Sequence, residues 1–430
     1  MSFAFLVSIA LVLLLAIFGA PIALSMLVSA IVYLLIQGQD VGLVAEQTLQ
    51  GLYGSYILLA IPLFIATANI MNAGAITDRL MRFCMAMVGR FRGGLGYVDI
   101  LQSVLFAGMS GSSVADAAGM GKVIITMAIR SGKTSPGYAA AVTAASSTIC
   151  AVLPPSIPLV MYALVSNASI GYLFLGGVIP GMIMAVAMVG VHTWRAQTRK
   201  YGVEEPTPMR EMPGITLQAL PTLLLPFILM AGIYGGAYTP TEAAAIAALY
   251  ALILAFVYRA LNLRSLYDIM LDTGKQTAAV GLMVGAAFMF NYIIANENVP
   301  SVAANFFASI EIDPLVFLII VNVLILIAGM FLDASAIVLI LIPIFIPAAK
   351  ALGIDLVHFG VVAVVNAMIG LITPPLGMVL FVVNAVTRVP LIDIVREIIP
   401  FLVVLIISLF LMVVWPDTVL WLPRLMGYEG

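Results

Sequence analysis

The chain has 430 residues, 63% of them hydrophobic and 9% charged, with a formal net charge of −2. A soluble domain carries about 25% charged residues, so this composition describes a polytopic membrane protein and excludes an ordinary soluble one. With no basic run there is no electrostatic support for nucleic-acid binding, and two cysteines in apolar segments, Cys84 and Cys150, leave no cluster of metal-ligand spacing.

A membrane span needs about 20 apolar residues. Residues 2–19 and 21–37 read as two spans joined at Gly19-Ala20-Pro21, and the absence of a basic segment before the first argues against a cleaved signal. Residues 40–52 read as interfacial, and 53–72 as a third span containing Pro62. Residues 73–95 form a basic amphipathic stretch with Arg79, Arg82, Arg90 and Arg92. Residues 96–130 hold a polar, Gly-rich interruption between two apolar arms. An arm of about 14 residues rises about 21 Å, short of a hydrocarbon core of about 30 Å, so the segment is expected to be a re-entrant hairpin. Residues 137–166 form a span broken near Cys150–Ser156, and 171–194 the next span. Residues 195–213, with Arg195, Arg199, Lys200, Glu204 and Glu205, read as a linker.

The pattern then restarts. Residues 215–236 and 240–258 pair at Thr239-Pro240; 259–275 read as interfacial and 277–296 as a span. A second hairpin is expected at 314–349, a second broken span at 358–387 and a last span at 397–414. Such internal repetition marks transporter folds built from inverted repeats. The expectation is an all-α polytopic protein with repeats at 1–200 and 214–430, two re-entrant helical hairpins, two broken helices and a cytoplasmic linker at 195–213. Each repeat has five full spans, an odd number, so the halves must be inverted. If 73–95 is cytoplasmic, so are 130–136, 195–213, 259–276 and 388–396, and these segments hold 15 of the 18 Lys and Arg residues. The positive-inside rule therefore places both termini on the outer, periplasmic side.

Irregular backbone survives at membrane depth only where protein or a watery cavity surrounds it. At a hairpin tip one arm ends in free carbonyls and the next begins with free N–H groups. Carbonyls and hydroxyls suit a hard cation such as Na⁺; the N–H end suits a carboxylate. The first tip offers Gly108, Ser110, Gly111, Ser112 and Ser113. The first break offers Ser146, Ser147 and Thr148 before Pro154-Pro155, where proline frees carbonyls. Gly108, Ser110, Ser112, Ser113, Ser147 and Pro154 are the candidate ligands of a first cation site. By the repeat, Gly329, Asp333, Ser335, Asn366, Thr373 and Pro374 are those of a second, with Gly370 beside them. Ser113, Asp116, Ser146 and Gly377 are the candidate substrate contacts. Small-residue tips also let helices pack closely and paired prolines also kink them, but both features recur in both halves. Asp116 and Asp333 are ionisable residues at membrane depth and so functional candidates, with a helix-start role as the alternative. Lys122 is read as snorkelling or pairing with Asp116. His192 and His358 are isolated.

The motifs GMSGSSVADAAGMG at 108–121, AASSTICAVLPPSIPLVMY at 144–162 and GLITPPLGMVLFV at 370–382 resemble the large membrane subunit, DctM type, of the tripartite ATP-independent periplasmic (TRAP) transporters, and the resemblance runs end to end. It implies a chain of the bacterial inner membrane, with an elevator mechanism in which hairpins and broken helices move against the other spans. It also implies uptake driven by Na⁺ as coupling ion, with no other cofactor. The implied partners are a periplasmic substrate-binding protein, a separate small four-helix membrane subunit (DctQ type) and membrane lipid. The substrate would be a small organic acid such as sialic acid or a C4-dicarboxylate. With no arginine in the expected midplane, N–H groups, hydroxyls and bound Na⁺ would hold its carboxylate.

The alternative is a single-component sodium-coupled carrier of the same superfamily that works without a binding protein. An intramembrane enzyme lacks support, since neither a HExxH motif nor a Ser/His/Asp set stands out. A channel would show a charged or repeated filter, which is absent.

Overall fold

A computed structural model describes residues 2–54, 56–72, 74–302 and 312–430. Among them every regular element is helical, and six helices are long and apolar enough to cross a membrane. The chain opens with Phe3–Ile17 and Ile22–Gln37, packed on each other. Gly42–Tyr53 follows, then a 3₁₀ turn at Tyr56–Leu59 leading into Ala60–Met71. The axis bends by 71° between the two helices. Pro62 explains the placement: proline has no N–H for the preceding turn and is tolerated near a helix start. The basic stretch is the helix Gly74–Val88.

Both expected hairpins are present. The first has arms Gly94–Ser110 and 113–131; the second has Pro314–Gly329 and Ala334–Ala351. That the first doubles back is shown by Ser103 and Asp116, 13 residues apart, in hydrogen-bond contact at 2.7 Å; along a straight helix they would be about 20 Å apart. Both broken spans are also present. The first runs Pro136–Ser147, a 3₁₀ turn at Thr148–Ala151, an irregular stretch through the proline pair, then Ile157–Ser166. The second runs Leu356–Gly370, the proline pair, then Met378–Thr387. In each proline pair the intervening peptide bond is cis.

The second half departs from the sequence reading at one place. Residues 259–296 were expected as an interfacial segment followed by a span. They form one continuous helix, Leu263–Asn296, of 34 residues, about 51 Å long. No proline interrupts it, and its glycines, though poor helix formers, do not force a break. The long helix Ile170–Thr198 runs into the expected linker, whose remainder is tied down rather than loose. Gly93 N–H donates to the Gly202 carbonyl at 2.9 Å, and Lys133 pairs with Glu204 at 2.7 Å. Met212–Tyr234 and Pro240–Val257 are the next two spans, the latter started by a Thr239/Glu242 capping box. The chain closes with Leu391–Val414 and a short helix, Asp417–Leu425, that the sequence reading did not anticipate.

The four broken elements exchange partners across the halves. Ile157–Ser166 packs on the second arm of the second hairpin, and Met378–Thr387 on the second arm of the first. This cross-packing brings all four interruptions to one region.

Candidate functional site

Each hairpin tip is held against the proline break of its own half. At the first tip Gly111 turns the chain with φ +62°, a left-handed conformation that favours glycine. Its carbonyl accepts from Ile157 N–H at 3.4 Å, and a Cβ on it would lie 2.4 Å from the Pro155 carbonyl oxygen. Ser112 then caps the second arm, its hydroxyl accepting from Ala115 N–H at 3.3 Å. At the second tip the Met330 carbonyl accepts from Gly377 N–H at 3.2 Å. Gly329 and Gly370 cross there so closely that a Cβ on Gly370 would lie 2.6 Å from the Gly329 Cα. Asp333 caps the second arm, accepting from Ser335 N–H at 2.9 Å. In both second arms, one turn past the cap, the helix widens into a π turn, at Ala117–Gly121 and Ile337–Leu341. Such bulges often mark functional sites, and the sequence carries no signal for them.

Between the tips lies a cavity of about 630 Å³. Ser110–Ser113 line it from the first tip, and Asp333 and Ser335 from the second. Met368, Leu371, Ile157 and Pro158 come from the breaks. Its remaining wall is Asn69 and Asn72 at the end of Ala60–Met71, with Gln276 from the long helix. Among the described residues no Lys, Arg or His lines it, and Asp333 is its one ionisable group. A cavity of several hundred Å³ with a few convergent polar groups is the usual form of a small-ligand site.

Several candidate ligands have other neighbours. Gly108 faces outward, where a Cβ would lie 2.2 Å from Pro226 Cγ, so it lets the hairpin approach the helix Met212–Tyr234. Asp116 and Ser146 lie outside the cavity lining; Ser103 Oγ donates to Asp116 at 2.7 Å and sits 3.1 Å from Ser146 Oγ. Ser147 donates to the Ala144 carbonyl and Thr373 to that of Ile369. Gly377, Pro154 and Pro374 shape the breaks without lining the cavity. Lys122 is exposed and pairs with no carboxylate among the described residues.

Two polar groups in the first arms of the hairpins, outside the cavity lining, were not singled out from the sequence. Asp99, buried in the first arm, accepts from Thr143 of the first broken span. Asn322, in the first arm of the second hairpin, accepts from Asn366 Nδ2 through its backbone carbonyl at 2.6 Å and its side-chain oxygen at 2.8 Å. A polar residue inside an apolar run was the available signal for both. Among the described residues ten buried side-chain oxygens lack a partner, and two of them lie near the tips: Ser110 Oγ at the first tip and Asn366 Oδ1, one turn before the Gly329–Gly370 crossing. Buried polar atoms are normally satisfied, so such a pair asks for an explanation.

The profile of the family described as "Tripartite ATP-independent periplasmic transporter, DctM component" matches residues 9–418. The chain belongs to that family. It is 41% identical over 413 residues to the sialic acid TRAP transporter large permease protein SiaM of Vibrio cholerae, covering 95% of this chain and 96% of that one. It is 40% identical over 373 residues to the C4-dicarboxylate TRAP transporter large permease protein DctM of Pseudomonas aeruginosa, covering 86% and 87%. Its fold matches the solved YdaH transporter of Alcanivorax borkumensis with a TM-score of 0.65 over 87% of each chain, at 16% identity. The DctM-component chain is thus a polytopic part of a transporter and not an enzyme. The tripartite description also weighs against the single-component alternative.

Proposed function

We propose that this DctM-component chain carries a small organic acid inward, coupled to Na⁺ entry, after a periplasmic binding protein delivers it. The observation that carries the reading is the pair of unpartnered buried oxygens, Ser110 Oγ and Asn366 Oδ1. Ser110 sits at the first tip and Asn366 one turn before the second crossing, and a proline break follows in each half, where proline cannot donate to a carbonyl of the preceding turn. Unwound carbonyls and neutral side-chain oxygens are what a desolvated Na⁺ requires. The first site draws on Ser110 and the Gly111 tip; the second draws on Asn366 with the Gly329–Gly370 crossing and the Thr373-Pro374 turn.

The acid occupies the cavity between the sites. The N-terminal ends of the arms begun by Ser112 and Asp333 point positive dipole there, and bound Na⁺ supplies the charge that the lining lacks. A monocarboxylate of the sialic acid class, with one charge to balance, fits this lining without Lys, Arg or His, and its hydroxyls match Asn72, Gln276 and Asp333. Dicarboxylates would need both cations to balance their charge. The hairpins and broken spans, already cross-packed, move as one body past Ala60–Met71 and the long helix in the elevator manner. A four-helix membrane subunit accompanies the fixed helices, and both termini face the periplasm across the inner membrane.

The test is uptake into proteoliposomes holding this chain with its small subunit. Labelled sialic acid and succinate are offered with matching binding proteins, with and without an inward Na⁺ gradient. The reading expects uptake of one acid that vanishes when either the gradient or the binding protein is left out. Full uptake by this chain alone would overturn it.

A further inference from the structure

Away from the central cavity, a second recess carries a chemistry that acid transport does not use. It has a volume of about 660 Å³ and opens where the basic helix Gly74–Val88 meets the start of Met212–Tyr234, with Met127 of the first hairpin at its edge. Arg79, Arg82 and Arg210 line it, opposed among the described residues by Glu211 as the one acidic group, with Thr207 and Gln218 beside them. Arg79 is held in place by its guanidinium stacked 3.7 Å over the Tyr258 ring. Arg82 and Arg210 are exposed, and among the described residues neither has a carboxylate within ion-pair distance. Single surface arginines are ordinary; three lining one recess at the rim of an apolar helix bundle concentrate positive charge. Leu217 and Leu220, on the helix that forms one wall, are exposed apolar residues.

We propose that this recess binds the headgroup of an acidic phospholipid carrying glycerol, phosphatidylglycerol in kind. The phosphodiester sits among the three guanidiniums, whose planar forks match phosphate geometry. Glu211 and Gln218 accept from the headgroup glycerol hydroxyls, which gives the one acidic group in the lining a role that a bare phosphate would not. The acyl chains run along Leu217 and Leu220. Basic pockets between membrane helices commonly hold anionic headgroups.

The full-length chain, exchanged into delipidating detergent, is titrated with phosphatidylglycerol, phosphatidylcholine and soluble glycerol phosphate. Bound lipid is read by native mass spectrometry. The expected result is one tightly retained phosphatidylglycerol, little phosphatidylcholine, and no effect of glycerol phosphate at matched concentration. The double variant R82Q/R210Q, both positions exposed and so tolerant of change, should bind phosphatidylglycerol about tenfold more weakly. Lys350→Gln, outside the recess, should bind as the unaltered chain does. Equal retention by R82Q/R210Q would overturn the site. Displacement of lipid by glycerol phosphate at matched concentration would overturn the lipid as its occupant.

Discussion

The two halves use one backbone plan and two sets of polar groups. In each, a hairpin tip is pinned to its own proline break by a backbone hydrogen bond, Gly111 to Ile157 in the first and Met330 to Gly377 in the second. In each, the second arm is N-capped and then widens into a π turn. The side chains then diverge. The first tip is hydroxyl-rich, capped by Ser112, with the carboxylates of Asp99 and Asp116 buried behind it and held by Thr143 and Ser103. The second is capped by a carboxylate, Asp333, and backed by the neutral pair Asn322–Asn366. Shared backbone with unshared chemistry means that the crossings belong to the common architecture, while on the proposed function ligand preference would reside in the few residues that differ.

That division is broken most directly at the crossings. Gly370→Ala should have the largest effect, because its Cβ would meet the Gly329 backbone and no flexible side chain can yield. We expect a loss of about 3 kcal/mol of stability, read as a lower midpoint of thermal unfolding in detergent, with uptake abolished. Gly111→Ala should behave alike, adding a cost of about 1 kcal/mol for its left-handed backbone. If one half tolerated alanine and the other did not, the common architectural role of the two crossings would be wrong.

The next effect separates the cation sites. Asn366→Ala removes an oxygen proposed as a ligand and strands Asn322, so the Na⁺ concentration for half-maximal uptake should rise about tenfold. Ser110→Ala removes one hydroxyl and strands nothing, so about threefold is expected. Equal activation curves for both variants and the unaltered chain would remove these two atoms from the cation sites.

Asp333 then sharpens the comparison between the caps. Asparagine caps a helix about as well as aspartate, whereas alanine costs about 1 kcal/mol. Asp333→Asn should therefore leave the unfolding midpoint in place while altering uptake, and Asp333→Ala should lower both. If Asp333→Asn transports normally, the carboxylate serves only as a cap.

How much of this was legible in the sequence follows from which forces act locally. Hairpins and breaks could be read because arms too short to span, Gly-Ser tips and proline pairs are local signals. Which tip meets which break is a tertiary fact, seen in the backbone hydrogen bonds from Ile157 to Gly111 and from Gly377 to Met330. The continuous helix Leu263–Asn296 was missed because a fall in hydropathy near Lys275 reads as an interface, although nothing there breaks hydrogen bonding. Asp116 and Ser146 were placed at the substrate because polarity at membrane depth does not say which way a side chain faces. Here they face Ser103 instead. The π turns left no trace, since no residue type demands them.

The smallest effect lies where the start of the first half is tied to the second half. Ser2 donates to the Glu297 carboxylate through its backbone N–H at 2.7 Å and through its hydroxyl, and Tyr33 donates to the same group at 2.9 Å. Partial burial alone would push the Glu297 carboxyl up, but the donors from Ser2 and Tyr33 outweigh it and hold the group below its ordinary value. A depressed carboxylate adds stability above its unfolded pKa of about 4.3, and loses it as pH falls through the folded value. The unfolding midpoint should thus owe the same Glu297 contribution at pH 7 and pH 6, and lose it below about pH 4. Glu297→Gln should show a slightly lower midpoint at neutral pH and a shallower acid decline, the two curves converging in acid. Parallel curves with a constant offset would mean that the tether is held by neutral hydrogen bonds and not by the charge.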